Sequence, residues 1–519
     1  MAVRYQTRGC SVARLADRLA DSLANKLSGH ELKYAKSVTA KRSTRRMLML
    51  FQKPFHRLTR FIAALALVAS LANLGFSQGN NNNNNGGGNG GGNNNNGDSG
   101  NGGGVEIDPQ GVLRISAVDN TLALRVRKAA LQTVGNTDVV ASEMRKVSLN
   151  RLEKLVANRV SEQQELGDEV LGLAGLTRIE YVFFLPDSND IVIAGPAEKI
   201  HVTENGNRVG LKSGRSVLSL MDLIVALRVY APSNDAIGSI AVSIEPTQEG
   251  IKRMNQYNDQ FRGRANQINP AVLAGMKQAL GYQNVIIKGV PRETNFARVL
   301  VEADYRMKLI GLGLENTVIP FKPWIARTQA GANASALQRW YFEADYGTVA
   351  TNEDRTALHL QGQGAKLTSE KEFLSKTGER TRGAGAGDAA SVGFAKEFTQ
   401  KFEALGEVMP VFSQMRNLFD MSIVAAFMQQ NDFYGKANWD LGVFADEEKL
   451  STKINNGISQ VEPAVNAMWK EGTLVTPIGG VHISARKLAN DPKVDNTLDA
   501  SAEKLSAPSD LREDQWWWD

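Results

Sequence analysis

Phe394-Ala395-Lys396-Glu397-Phe398-Thr399-Gln400-Lys401-Phe402-Glu403-Ala404-Leu405 and, past Pro410, Val411 to Gln430 carry the strongest periodicity in the chain. Phe394, Phe398, Phe402 and Leu405 step by four and three, which sets them on one face of a helix. Pro410 has no amide hydrogen to donate, so it ends the first run and suits the first position of a second. Phe412, Met415, Leu418, Phe419, Ile423 and Phe427 continue the stripe. The pattern predicts a helical hairpin over residues 392–430 with its aromatic stripe turned to a core. The other use of such a stripe is a partner-binding groove, which needs an exposed apolar patch.

Working outward from the hairpin, strands and helices alternate irregularly. Ile179 to Leu185 is too apolar for a half-exposed strand and predicts a buried one, returning through the turn 186–190 into Ile191 to Ala194. Asp187 and Asp190 in that turn lack the spacing of a calcium loop. Val105 to Asp108, Gly111 to Ile115, Ile240 to Ile244, Val285 to Ile287 and Val475 to Ile483 read as further strands. Trp340 to Glu343 reads as an aromatic strand paired with Thr356 to Leu360. Helices are predicted over 122–131, 148–164, 217–230 (capped by Ser216) and 295–310 (capped by Thr294). Glu249 to Asn266 is polar and amide-rich and reads as a join. The fold class is therefore α/β or α+β, in two mixed domains of short strands and amphipathic helices. They cover 105–250 and 281–486 on either side of a join at 251–280, and the second holds the hairpin. Residues 487–519 read as a mobile polar tail ending in tryptophans.

Ahead of this body lies a different kind of sequence. Phe61 to Ala72 contains no charge, Lys53, Arg57 and Arg60 precede it, and Gly75-Phe76-Ser77 supplies a small-x-small exit. A basic flank, an apolar core and that exit predict a secretory signal peptide over 47–77, cut after Ser77. The alternative is a retained membrane anchor through 61–76, although a spanning helix takes ~20 apolar residues. Translation from Met47 gives a leader of ordinary length, so residues 1–46 read as an over-extended start, with Arg45-Arg46 a poor twin-arginine match. Residues 78–104 form a spacer predicted to be disordered: of the 26 residues from Gly79 to Gly104, 24 are Asn or Gly. Nothing there can bury apolar area to offset the entropy of ordering. Gly97-Asp98-Ser99-Gly100 resembles a serine nucleophile loop, but a low-complexity spacer with no histidine nearby makes that a chance match.

The leader also distorts the charge. The chain carries +5, yet its first 77 residues hold 14 basic and 3 acidic residues, leaving 46 basic against 52 acidic in the remainder. A net charge near −6 removes the electrostatic footprint of a nucleic-acid binder. Cys10, the one cysteine, lies upstream of the signal core. The mature region can therefore form neither a disulfide nor a thiolate metal site, and its own core must stabilise it. This suits a periplasmic or cell-surface protein, with no cofactor and no metal expected.

Two carboxylate pairs are the candidate catalytic residues. Glu302 and Asp304 sit in the most charged helix, where i,i+4 spacing pairs Arg298 with Glu302, Glu302 with Arg306, and Asp304 with Lys308. Two positions along a helix diverge by about 160°, so these acids cannot jointly flank one substrate atom. The simplest reading is surface ion pairs. Glu343 and Asp345 share one strand face, as a carboxylate-pair hydrolase requires, but the solvated side of an edge strand requires the same. Trp516, Trp517 and Trp518 are candidate binding residues, with indoles suited to half-wet interfaces. They dock either on the body itself, on a partner or membrane surface, or on a sugar.

The stretch Gly289-Val290-Pro291, with Phe296-Ala297-Arg298-Val299-Leu300-Val301-Glu302-Ala303-Asp304-Tyr305-Arg306-Met307-Lys308-Leu309-Ile310-Gly311, resembles an uncharacterised family of exported proteins. That family is typical of planctomycete-type bacteria and is known as a domain of unknown function. Leu171 to Ala197 and Phe398 to Leu418 are similar to other parts of it. The resemblance implies secretion and supplies no catalytic residues. Two functional classes follow. The first is a non-enzymatic envelope or extracellular component that binds an envelope protein or a glycan, meeting membrane only if the leader is retained. The second is a carboxylate-dependent hydrolase of glycan or wall polymer. His201, His359 and His482 are scattered, with no zinc-protease motif and no nucleophile elbow, which favours the first class.

Overall fold

The computed structural model describes residues 104–115, 120–133, 141–232, 238–261, 269–328, 337–370, 373–374, 380–381, 387–468, 473–499, 508, 511–512 and 514–519. The predicted signal peptide, its predicted cleavage point and the predicted spacer up to Gly103 lie outside them. Among the described residues, no helix is long and apolar enough to cross a membrane.

Two mixed sheets carry the fold. The first runs β1 (Val105–Ile107), β2 (Val112–Ile115), β16 (Gln460–Val461), β9 (Gln283–Lys288), β8 (Ile240–Glu245), β18 (Thr473–Ile483), β10 (Leu337–Asp345) and β13 (Gly364–Glu370), with β17 (Asn466–Met468) also on β18. The second runs β19 (Lys493–Val494), β11 (Thr348–Thr351), β12 (Ala357–Gln361), β4 (Tyr181–Leu185), β5 (Asp190–Ala197), β3 (Ser142–Ser148) and β20 (Trp517–Trp518). Two ribbons, β6 (Ile200–Val202) with β7 (Arg208–Gly210) and β14 (Phe373–Leu374) with β15 (Arg380–Thr381), stand apart. Most neighbours are antiparallel, but β10 with β18, β2 with β16 and β11 with β19 are parallel. This is an α+β architecture.

The apolar run at β4 is explained by burial on both faces. Val182 and Phe184 join the main core, while Phe183 and Leu185 face a second cluster with Val192, Leu498 and Trp518. The helices are α1 (Asn120–Thr133), α2 (Leu149–Ser161), α3 (Asp168–Leu171), α4 (Leu220–Val229), α5 (Gln248–Asp259), α6 (Pro270–Leu280), α7 (Asn295–Leu312), α8 (Ala389–Gln400), α9 (Phe402–Val408), α10 (Pro410–Gln430), α11 (Phe433–Lys436) and α12 (Ala485–Asn490). The predicted hairpin is present as α8, α9 and α10, with an additional break at Lys401. Its stripe is core: Phe398 packs edge-on to Phe412 and Phe342, with ring centroids 5.3 and 5.6 Å apart.

Several expectations need correcting. The described residues cluster as one compact unit, because strands from both expected domains alternate within single sheets. The expected join is instead the helix pair α5 and α6. Ile251, Met254, Val272, Met276 and Leu280 bury against Ile478, Val465 and Ala467, and the three-residue step from 251 to 254 was masked by the amides around it. Ser219, not Ser216, caps α4, accepting from the Asp222 amide at 3.3 Å; the Ser216 amide donates instead to Ser413. Thr356 to Leu360 does not pair with β10. It supplies β12, which lies between β11 and β4 in the other sheet. β10 is no edge strand either, since it sits between β18 and β13. Residues 487–513 include part of α12 and β19, whose register with β11 places Lys493 beside Ala350.

Candidate functional site

The most charged helix is also among the most buried. Thr294 caps α7 by accepting from the Ala297 amide at 3.2 Å, and Gly313, at φ 68°, closes it in the left-handed conformation. A helix buried all round is ordinarily apolar. Yet Arg298, Glu302, Asp304, Arg306 and Lys308 are each at most 4% exposed. The i,i+4 pairs anticipated from spacing are all present, but they are interior pairs rather than surface ones. Glu302 Oε2 accepts from Arg298 at 2.6 Å, Glu302 Oε1 from Arg306 at 2.7 Å, and Asp304 from Lys308 at 2.7 Å.

The first two bonds belong to a longer ladder of alternating sign. Asp222 on α4 accepts from Asn295 at 2.7 Å, whose carbonyl oxygen in turn takes two bonds from Arg298, at 2.9 and 2.7 Å. Arg306 continues past Glu302 to Glu315. Each internal charge thereby faces an opposite one, the condition under which burial of ions is tolerated. Asp304 lies on the other flank of the helix. There Lys308 also approaches the Gly479 carbonyl oxygen on β18, at 3.5 Å. Burial holds the Asp304 carboxyl above and the Lys308 amine below their usual values, with the partner's charge opposing each shift. Gly311 lets α7 lie this close to the sheet, because a side chain there would meet the Trp340 indole at 2.7 Å.

A cavity of about 70 Å³ opens beside the ladder, lined by Glu302 and Arg306 together with Arg127, Asn205, Asn207 and Glu407. Arg127 lies over the bare face of Gly214 (φ +79°), where a Cβ would fall 1.3 Å from Nη1. Among the described residues, that Nη1 is buried without a hydrogen-bond partner, and burial lowers the guanidinium's pKa against the pull of Glu198 and Glu407. Glu407 pairs with Arg215 at 3.0 Å. Drug-sized ligands fill roughly 300–1,000 Å³, so this cavity suits water or a small polar group rather than a sugar ring.

Glu343 and Asp345 lie on the opposite face of the first sheet from α7, because Trp340 and Phe342 point into the core and alternate residues point away. Glu343 is directly across from Lys366 in register, pairs with it at 3.3 Å and accepts from Thr368 at 3.0 Å. Asp345 accepts from Gln363 at 3.1 Å. The sheet thus separates the two carboxylate pairs, and within the α7 pair the helix separates the acids. His359 stacks on Tyr181 with centroids 4.3 Å apart, and burial lowers its pKa. Among the described residues, no group of three His, Cys, Asp or Glu is placed to hold a metal.

The three tryptophans dock on the chain's own body. Trp517 and Trp518 form β20 on β3, and Trp516 and Trp518 are 4% and 5% exposed. Trp517 donates to Glu169 at 2.8 Å, and Asp519 takes two bonds from Arg145, at 2.8 and 2.7 Å.

One polar centre escaped the sequence reading. Asp420, fully buried on α10, accepts from Tyr346 Oη at 2.6 Å and from the Ile179 amide at 3.3 Å, with Arg178 at 3.8 Å. Arg416, one turn earlier, donates to the Thr177 carbonyl at 2.5 Å, and burial takes its pKa down to about 10. The readable signal was this i,i+4 Arg–Asp pair inside an apolar helix. The centre ties the second sheet to α10.

A family described as a protein of unknown function, DUF1598, matches residues 242–323. The matched stretch contains most of β8, all of α5, α6, β9 and α7, and so most of the ladder. No curated protein and no solved structure shows significant similarity to the chain.

Proposed function

We propose that this chain is an exported, non-enzymatic component of the cell envelope or its surroundings, acting by binding or assembly. One observation carries the choice over a carboxylate-dependent hydrolase. Both oxygens of Glu302 are held by guanidiniums, and Asp304 is enclosed with Lys308. A glycosidic acid must instead reach its substrate and have a second carboxylate roughly 5–10 Å away across a cleft. Glu343 and Asp345 remain partly exposed, but as members of a cross-strand ion pair and an amide contact. Export rests on the basic flank, apolar core and exit at residues 53–77.

Two measurements test the reading. Intact mass of the protein recovered from envelope and medium is expected to begin near Gln78; a mass retaining residues 61–72 would make it a tethered protein with the spacer as its stalk. Purified protein incubated with wall polymers and glycans is expected to release no reducing ends. Turnover that disappears in Glu343→Gln or Glu302→Gln would overturn the non-enzymatic assignment.

A further inference from the structure

Residues 511–512 and 514–519 are held as a bound peptide would be. The Ser148 amide donates to the Trp516 carbonyl at 2.9 Å, and Trp517 and Trp518 align with Val147 and Lys146 on β3. Without β20, β3 would be the edge of the second sheet. Arg151 reaches the carbonyl oxygens of Arg512 and Gln515, at 3.2 and 3.4 Å. Trp516 enters the main core, whereas Trp518 and Leu511 enter the cluster on the far face. The Arg145 guanidinium lies 4.2 Å from the Trp517 ring centroid while chelating the Asp519 carboxylate, and a third bond to the Ala174 carbonyl (2.7 Å) aims it.

This is strand addition to a sheet edge: backbone bonds give adhesion, and side-chain pockets with a charge clamp give selectivity. The groove is built from β3, α2, α3 and β5, elements more than 300 positions earlier in the chain. Nothing in it requires the ligand to be covalently continuous with the groove.

We propose that the β3 edge is a peptide-binding groove for an extended Trp-Trp-Trp-Asp segment, filled here in cis and able to take the same segment from a second copy of this chain. The cis tail has an effective concentration on the order of millimolar, so it excludes free peptide until the connection is cut or copies are crowded together. This inference stands apart from the non-enzymatic reading and would hold for an enzyme as well.

The test uses the full mature chain with a protease recognition sequence placed within residues 501–507, cut after folding. The severed tail is expected to stay bound through gel filtration at micromolar protein. It should then be replaced, by native mass spectrometry, by an isotope-labelled 508–519 peptide added in about tenfold excess. Arg145→Glu should weaken retention by at least about tenfold, and a peptide carrying Asp519→Arg should restore it. A tail that leaves on cutting and does not rebind would overturn the proposal. So would a tail that fails to exchange until the body loses its near-ultraviolet circular dichroism, since it would then be an integral strand. For the second copy, uncut chains of two different masses mixed at about 1 mM, the scale of the cis tail's effective concentration, should form mixed dimers that return to monomers on dilution to about 10 µM; strictly monomeric protein at about 1 mM would overturn exchange between copies.

Discussion

Glu302 and Asp304 on α7, and Glu343 and Asp345 on β10, repeat one pattern: two acids with a single residue between them, each near a cation or an amide. On α7 both acids are sealed inside, so every charge must find its opposite, and the helix becomes an alternating ladder from Asp222 to Glu315. On β10 water solvates the acids, and the cross-strand pair with Lys366 is one contact among several that the side chain could make. The same residues are thus obligatory partners in one place and optional ones in the other. Buried ions lose far more when stranded than exposed ions do.

The largest effect should come from stranding a buried charge. Glu302→Ala leaves Arg298 and Arg306 without their shared carboxylate, and Lys308→Met leaves Asp304 alone; each should cost about 3–5 kcal/mol in urea unfolding. The double variant Asp304→Leu/Lys308→Met should recover most of the second loss, because an apolar pair of similar volume has no ions to desolvate. A double variant as unstable as Lys308→Met would mean that packing, not charge, sets the cost.

Asp190 sharpens the contrast from another side, as a buried acid whose side-chain hydrogen bond comes from a hydroxyl, Ser148 at 2.8 Å. Burial raises its pKa above the unfolded value of 3.8, with that hydrogen bond opposing. The folded state therefore holds the proton more tightly than the unfolded state. The stability this lends is complete below the unfolded value and is lost as pH climbs through the folded one. Against the non-titrating Asp190→Asn variant, the wild type should thus be relatively most stable in acid and lose that advantage toward neutrality. A pH-independent difference would refute the assignment.

Thr294→Ala removes the cap of α7 and should cost about 1 kcal/mol by the same unfolding assay. The smallest change is expected outside: Lys366→Met should cost no more than about 0.2–1 kcal/mol and shrink further in salt. A loss comparable to Lys308→Met would break the distinction between the two regions.

The cap, length and ion-pair spacing of α7 were legible because they are local: Thr294, the apolar positions and the i,i+4 steps all lie within one helix. Its burial was not, since a charged helix looks like a solvated one until its neighbours are known. The pairing of β10 and β12 misled for a related reason. Adjacent strands usually pair, but here the chain crosses between sheets after Asp345, and neither sequence records the crossing. The α5 helix was hidden by composition, its few buried residues diluted by amides. Asp420 was overlooked because one acid in a long apolar helix acquires meaning only when Tyr346 and Arg178 arrive from elsewhere.

By itself, the sequence determined the helices and strands with strong period, the aromatic core of α8 to α10, and, for the residues after 77, the absence of cysteine and an acidic balance. These depend on neighbours a few positions apart or on composition alone. Tertiary structure decided which strands share a sheet, that the charged helix lies inside, that the two acid pairs stand on opposite sides of a sheet, and that the tryptophans close the β3 edge. Those outcomes depend on contacts between residues hundreds of positions apart, as with Arg145 and Asp519, and local periodicity carries no record of them.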